Sequence, residues 1–308
     1  TPPEVRTAAG NVFRRAVTRL ADPKTDVIRR AGSAALLGFA PSRQAIPALA
    51  SRLAPQEPQA LQRAAVASLA RHPSKATSLV LLKNWRGYSP RIRGDVVDVL
   101  IQRPVGTHVL LDAVRDKRVL TGEITLEKRQ VLANHPDSKL RDRARALLSA
   151  IASPDRAKVI ARYRPELDKP GNVAAGEAVF KKLCVNCHRV GVVGNKLGPD
   201  LTSVRNKSPR DLLVTILDPN REAQPNYMTY TLVTVQGRLL TGIISAETAT
   251  TVTLMRAEGK QDVVLRSQIE MLVSNGKSLM PEGLEKELTA KQINDVIAWI
   301  KKLQPAGK

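Results

Sequence analysis

The residues able to do chemistry are concentrated in one short run, Lys182-Leu183-Cys184-Val185-Asn186-Cys187-His188, which contains both cysteines of the chain. Two thiols three positions apart can each add to a vinyl group of a porphyrin from a single turn of backbone, and the adjacent imidazole then reaches the iron. Cys-x-x-Cys-His is therefore the attachment signature of c-type haem. Three other readings compete. A zinc site needs a second ligand pair, and the sequence has no further Cys. A thioredoxin-like redox pair wants a preceding strand in a βαβ context. The last is a chance match, and the use of both cysteines in one motif tilts against it. The other histidines offer no ligand set. His72 and His135 each precede Pro, His108 lies between Thr107 and Val109, and no two share a metal-ligand spacing. They read as solvated or core-edge residues.

The elements that must position this motif can be read around it. Residues 172–183 have helical periodicity, with Gly176, Val179, Phe180 and Leu183 on one face. Thr289-Ala-Lys-Gln292 is a capping-box pattern that opens a last helix with Ile293, Val296, Ile297, Ile300 and Leu303 on a stripe, Trp299 beside it and Pro305 just past it. The glycine-rich run 191–201 lacks the Lys-Ser/Thr pair of a phosphate loop, and Gly198-Pro199 reads as a turn. Ser208 caps a helix over 208–217 with Pro209 at its first position, ending at Asp218-Pro219-Asn220. Runs 227–235, 239–245, 250–255 and 262–265 are rich in β-branched residues, with turns at Gln236-Gly237 and Glu258-Gly259. They predict a small antiparallel meander at about 227–274.

The first half has a different grammar. A nine-residue pattern at 28–36 recurs at 61–69 and, more loosely, at 92–100 and 140–148. Its apolar and small residues trace one helix face, and Asp95 and Arg143 break the looser copies. Proline-containing punctuators separate the copies, and second helices follow at 44–53 and 76–85. Helix, turn, helix at this spacing predicts an α-solenoid and resembles HEAT repeats. The organisation expected is a HEAT-like domain over 1–155, a linker over 156–170, and a second domain over 171–308 carrying the β insertion. The fold class is mainly α.

The second domain resembles class I cytochrome c. In that family a Gly and an aromatic residue of the first helix pack on an aromatic residue of the last, and Gly176, Phe180 and Trp299 occupy those roles. The family's Gly-Pro-x-Leu loop corresponds to Gly198-Pro-Asp-Leu201, so the resemblance implies that the Pro199 carbonyl orients His188. Of the methionines, Met228 and Met255 lie in strand-like runs, where gap-filling core is the better reading. Met280, in Ser278-Leu-Met-Pro-Glu-Gly283, resembles the axial-ligand loop of the family and is the best candidate for the sixth ligand. Cys184 to His188, Gly198 to Leu201, Ile216 to Asn220, Tyr227 to Tyr230 and Ser278 to Leu284 together resemble the haem-binding domain of the Planctomycete–Verrucomicrobium type. That resemblance implies one covalent haem c, ligated by His188 and Met280, in a one-electron carrier of the periplasm or another exported space. It also implies a fused or separate dehydrogenase as redox partner. The rival readings are a haem enzyme reacting with peroxide or a small gas at an open iron, and a repeat scaffold whose haem is secondary.

The charge then needs an owner. The 308 residues carry 49 Lys and Arg against 28 Asp and Glu, a net +21. Residues 1–170 hold 31 basic and 15 acidic side chains, whereas 171–308 hold 18 and 13. With aromatic residues at 3%, base-stacking platforms are scarce, so nucleic acid is the weaker partner. An acidic redox partner, steered by the basic repeat half, is expected. The apolar runs are too short for a transmembrane segment.

Overall fold

The computed structural model describes residues 2–148, 154–221, 223–256 and 259–304. The fold is mainly helical, with a small region of β sheet. In the first half, helices α1 (Pro3–Ala21), α2 (Val27–Leu37), α3 (Ser42–Ala50), α4 (Gln59–Leu69), α5 (Lys75–Lys83), α6 (Pro90–Ile101), α7 (Pro104–Arg115), α8 (Leu126–Ala133) and α9 (Ser138–Leu148) follow one another. Local signals set their starts. The Asp26 carboxylate accepts from the amides of Ile28 and Arg29, the Ser74 hydroxyl accepts from that of Thr77, and Pro opens α6 and α7.

These helices pack in two rows. One runs α2, α4, α6, α8, and the other runs α1, α3, α5, α7, α9. The apolar stripes of both rows close over one core that includes Leu37, Leu49, Leu69, Leu81, Ile92 and Leu110. The first three copies of the nine-residue pattern fall on α2, α4 and α6, in one row. The fourth falls on α9, in the other row, and α8 takes the place beside α6. The irregular spacing of that copy is thus a change of row. His72, in the turn before α5, is buried, with its ring nitrogens 3.1 Å from Ser42 Oγ and 3.1 Å from the Leu37 carbonyl. His108 is exposed on α7, and His135 accepts from the Asp137 amide in a turn.

Residues 156–170, expected as a linker, instead carry α10 (Pro154–Tyr163) and a 3₁₀ turn over Arg164–Asp168. Val159, Ile160, Tyr163 and Leu167 pack into the same core as α11 (Val173–Val179), α12 (Pro209–Leu217) and α13 (Ala290–Lys302). The reason is an apolar stripe at helical spacing within a charged segment. The turn expected at Glu258-Gly259 lies partly outside the described residues, as does Pro305.

A two-residue ribbon pairs β1 (Arg189–Val190) with β2 (Val193–Gly194). The insertion is a five-stranded antiparallel sheet of β3 (Met228–Thr234), β4 (Leu239–Glu247), β5 (Thr251–Met255), β6 (Gln261–Leu265) and β7 (Ile269–Ser278). Its order is β6-β5-β4-β3-β7, so the last strand returns beside the first. β7 was not expected from the sequence. It has little alternation, contains Gly276 at positive φ, and owes its conformation to pairing with β3. The sheet therefore extends to Ser278 rather than to about 274, and it has a core of its own around Met228, Tyr230, Leu232 and Leu254.

That sheet is tied to the helices of the first half. The Glu123 carboxylate, with its side chain 3% exposed, accepts from Arg93 Nη1 at 2.7 Å, Trp85 Nε1 at 2.7 Å, the Leu120 amide at 2.9 Å and Ser274 Oγ of β7 at 3.1 Å. Tyr230 of β3 donates to the Tyr88 carbonyl at 3.2 Å. Further along, Arg266 donates to Glu247 and to the Pro55 carbonyl. Removing one member of a buried ion pair strands the other charge, which typically costs about 3–5 kcal/mol. Glu123→Ala should therefore lower unfolding stability by about that much in chemical denaturation, whereas Glu127→Ala should change it by no more than about 0.5 kcal/mol.

Candidate functional site

Two crossing helices carry the site. Asn172 caps α11 by accepting from the Ala175 amide at 3.0 Å, and its own amide donates to Asp295 Oδ1 of α13 at 2.7 Å. Gly176 lies at the crossing, where a Cβ would stand 2.0 Å from the Asp295 carbonyl oxygen and 2.9 Å from Trp299 Cβ. Only hydrogen fits there, so the two backbones approach closely. One turn on, the Phe180 and Trp299 rings meet at 4.6 Å between centroids, tilted by 30°. A pair of that geometry adds about 0.5–1.5 kcal/mol beyond burial.

The backbone then widens. Phe180–Cys184 is a π-helical turn, not the continuing α-helix expected over 172–183. Such turns occur disproportionately at functional sites. The amides of Cys187 and His188 both donate to the Cys184 carbonyl, at 3.1 and 2.9 Å, which coils the motif into one turn. The returning segment closes over it: the Asn195 amide donates to Val185 O at 3.2 Å and the Gly198 amide to Cys187 O at 2.7 Å. Gly194 takes φ +93°, and a Cβ there would meet the His188 carbonyl oxygen at 2.2 Å.

His188 is the centre of this arrangement. Its Nδ1 lies 2.9 Å from the Pro199 carbonyl, which can only accept, so Nδ1 carries the proton. The Nε2 lone pair is left for a metal. Burial pushes the imidazole pKa below its ordinary value, against a smaller raising effect of the Pro199 bond, and so favours the neutral, ligating form. Gly198 lies against the ring, and a Cβ there would stand 2.5 Å from His188 Cε1 and 2.8 Å from Nδ1. Cys184 and Cys187 are free thiols. Burial pushes Cys184 up to about 11 and raises Cys187 as well, so both are protonated at neutral pH. A helix rather than a strand leads into the pair, which removes the thioredoxin-like context. Among the described residues, no group of three or more His, Cys, Asp or Glu is placed to hold a metal ion, which leaves the zinc reading without a ligand set.

Met280 is half-buried in the segment that follows β7. The Met280 amide donates to Ser278 Oγ at 3.1 Å. Asn220 Oδ1 accepts from the Ser278 amide at 2.8 Å, and Asn220 Nδ2 donates to Glu282 Oε1 at 2.7 Å. Arg156 of α10 grips Glu285 with two bonds, at 2.7 and 3.0 Å, and donates to the Leu217 carbonyl at the end of α12. The Tyr163 hydroxyl lies near the Glu285 and Leu288 carbonyls, at 3.0 and 3.1 Å. Sequence reasoning gave Arg156 and Tyr163 no role, and met Asn220 only as the last residue of the Ile216–Asn220 motif, with no partner assigned. Arg156 and Tyr163 lie on the expected linker, and nothing local marks them as partners of a segment more than a hundred positions away.

The family model described as Cytochrome C oxidase, cbb3-type, subunit III matches residues 171–236. The match supports a cytochrome c domain at this place. It spans α11, the Cys-x-x-Cys-His turn and α12, and ends just after β3, the first strand of the inserted sheet. No curated protein matches the chain.

Two outcomes follow from the geometry of this cytochrome c-type site. Gly198→Ala should displace the His188 ring from the Pro199 carbonyl and lower haem incorporation by about tenfold or more, read from the haem absorbance per protein. The raised thiols give a pH effect on the haem-free chain. The folded state keeps protons that the unfolded state loses first, so this contribution is full below the ordinary thiol value of 9.0 and is lost as pH rises toward about 11. Cys184→Ser should flatten that alkaline decline in a denaturation series.

Proposed function

We propose that the chain is a c-type cytochrome that transfers single electrons through one covalently attached haem. The observation that carries this reading is the His188 ring, fixed by the Pro199 carbonyl with Nε2 left free, one residue beyond a pair of neutral thiols. Those residues fit haem c, and the Gly198 contact supplies a face on which only a bare backbone can support the ring. Cys184 and Cys187 would hold the haem as thioethers, each thiol adding its sulfur and its proton across one vinyl group so that nothing has to leave. The bound haem supplies a ferric–ferrous couple. His188 would ligate the iron through Nε2, and the Pro199 carbonyl fixes the ring's tautomer and orientation and raises its basicity. Met280 would be the second protein ligand, and His/Met ligation favours a relatively high potential. Phe180 and Trp299 lie in the core against which Cys184 packs, and this core would keep water from the attached group.

The two rows of helices support a HEAT-like solenoid as a docking scaffold. Its excess of basic side chains favours an acidic redox partner, a separate or fused dehydrogenase among the candidates. No helix of the described residues is long and apolar enough to cross a membrane. Haem c attachment and the similarity to the cbb3-type family favour an exported location, the periplasm or an equivalent space.

Purified protein from a host able to attach haem c should show the low-spin haem c spectrum, and Met280→Ala should convert it to a form whose ferrous state binds carbon monoxide rapidly. A wild-type protein that binds carbon monoxide as fast as the variant would favour an open, reactive iron instead. Binding to an acidic partner should weaken with added salt, and salt-independent binding would remove the steering role of the solenoid.

A further inference from the structure

Asn220 stands at the meeting of two units that have separate cores. It follows the end of α12, whose Leu212, Leu213 and Leu217 belong to the core shared with α11 and α13. The segment bearing Met280 leaves β7, and β7 belongs to the sheet, which is anchored through Ser274 on the first-half helices. Any shift of the sheet against the helices would therefore drag Met280 with it, unless something ties the segment to the α12 side.

We propose that Asn220 is that tie, a positioning residue that fixes Met280 for the iron; this rests on the reading of Met280 as the sixth ligand. The amide group spends both ends on the task. Its oxygen takes the Ser278 amide at 2.8 Å and its nitrogen gives to Glu282 at 2.7 Å, so the two bonds bracket Met280 on either side. Ser278 passes the constraint on, since its Oγ accepts from the Met280 amide at 3.1 Å. A carboxylate at 220 would keep the first bond, lose the second and face Glu282 with like charge. An alanine would lose both. Arg156 and Tyr163 fix the far end of the segment at Glu285 and Leu288, and the Leu279 amide holds its near end to the sheet through the Tyr227 carbonyl at 3.1 Å, so between these points Asn220 supplies the tie to the α12 side.

The test uses the full-length haem-loaded chain and added imidazole, which competes with a methionine ligand for ferric iron. Asn220→Ala should raise imidazole affinity by about tenfold, the scale of one to two lost hydrogen bonds. It should also weaken the long-wavelength methionine-to-ferric-iron band. Amide hydrogen exchange at Ser278, Met280 and Glu282 should quicken by about the same factor, with or without haem, while the unfolding midpoint moves little. Asn220→Asp should fall between alanine and wild type. Ser278→Ala, which leaves Asn220 its backbone partner, should move imidazole affinity in the same direction by a smaller factor. Met280→Ala is the reference. If it raises imidazole affinity and Asn220→Ala and Ser278→Ala do not, the positioning role is overturned while the ligand stands. If Met280→Ala binds imidazole no better than wild type, the ligand reading itself has failed, and the positioning role falls with it.

Discussion

The Glu123 carboxylate is the point on which the arrangement of the chain turns. A buried charge survives only where its lone pairs are filled, and here the donors come from Arg93, Trp85, the Leu120 amide and Ser274. Three of these belong to the first half, Arg93 on α6 and Trp85 and Leu120 in the connections between helices, and one to the last strand of the sheet. The direction of these bonds fixes where the sheet can sit, in a way that apolar contact alone would not. Tyr230 adds a second bond from β3, the strand paired with β7. Since β7 runs directly into the Met280 segment, the place of that methionine is set in part by residues that precede the Cys-x-x-Cys-His motif by about 60 to 100 positions.

The site itself is made largely of backbone. Gly176 lets α11 and α13 touch, Gly194 turns the chain back under the His188 carbonyl, and Gly198 lies on the His188 ring. A carbonyl, that of Pro199, sets the ring's tautomer. Backbone groups of this kind have few alternative positions, whereas a side-chain acceptor would bring its own rotamers. Such a scaffold holds the His188 imidazole still, with its orientation and tautomer set by the backbone.

The region similar to the cbb3-type family stops at 236, yet the helical unit it begins closes only with α13, beyond the sheet. The sheet splits a small helical fold without splitting its core: α10, α11, α12 and α13 still share one set of buried residues. The excess positive charge sits with the other helices, those of the first half. The Cys-x-x-Cys-His turn and most of the excess positive charge thus lie in different parts of one molecule, joined through the sheet.

What the sequence determined by itself is what depends on near neighbours. Cys184, Cys187 and His188 have their chemistry in their spacing. The caps at Ser208 and Thr289 and the stripes of α2, α4 and α13 are readable because each rests on residues three or four positions apart. The sequence could not place what depends on distant partners. β7 has weak alternation and is a strand because β3 pairs with it. The fourth repeat copy changes row because α8 fills the place beside α6. Residues 156–170 look like a charged linker until Val159, Ile160 and Tyr163 find the core of α12 and α13. Asn220 is one more polar residue after a helix until the fold brings Ser278 and Glu282 to its two ends. Local periodicity and spacing are written along the chain, but the partner of a hydrogen bond across dozens of residues is chosen only when the cores have closed.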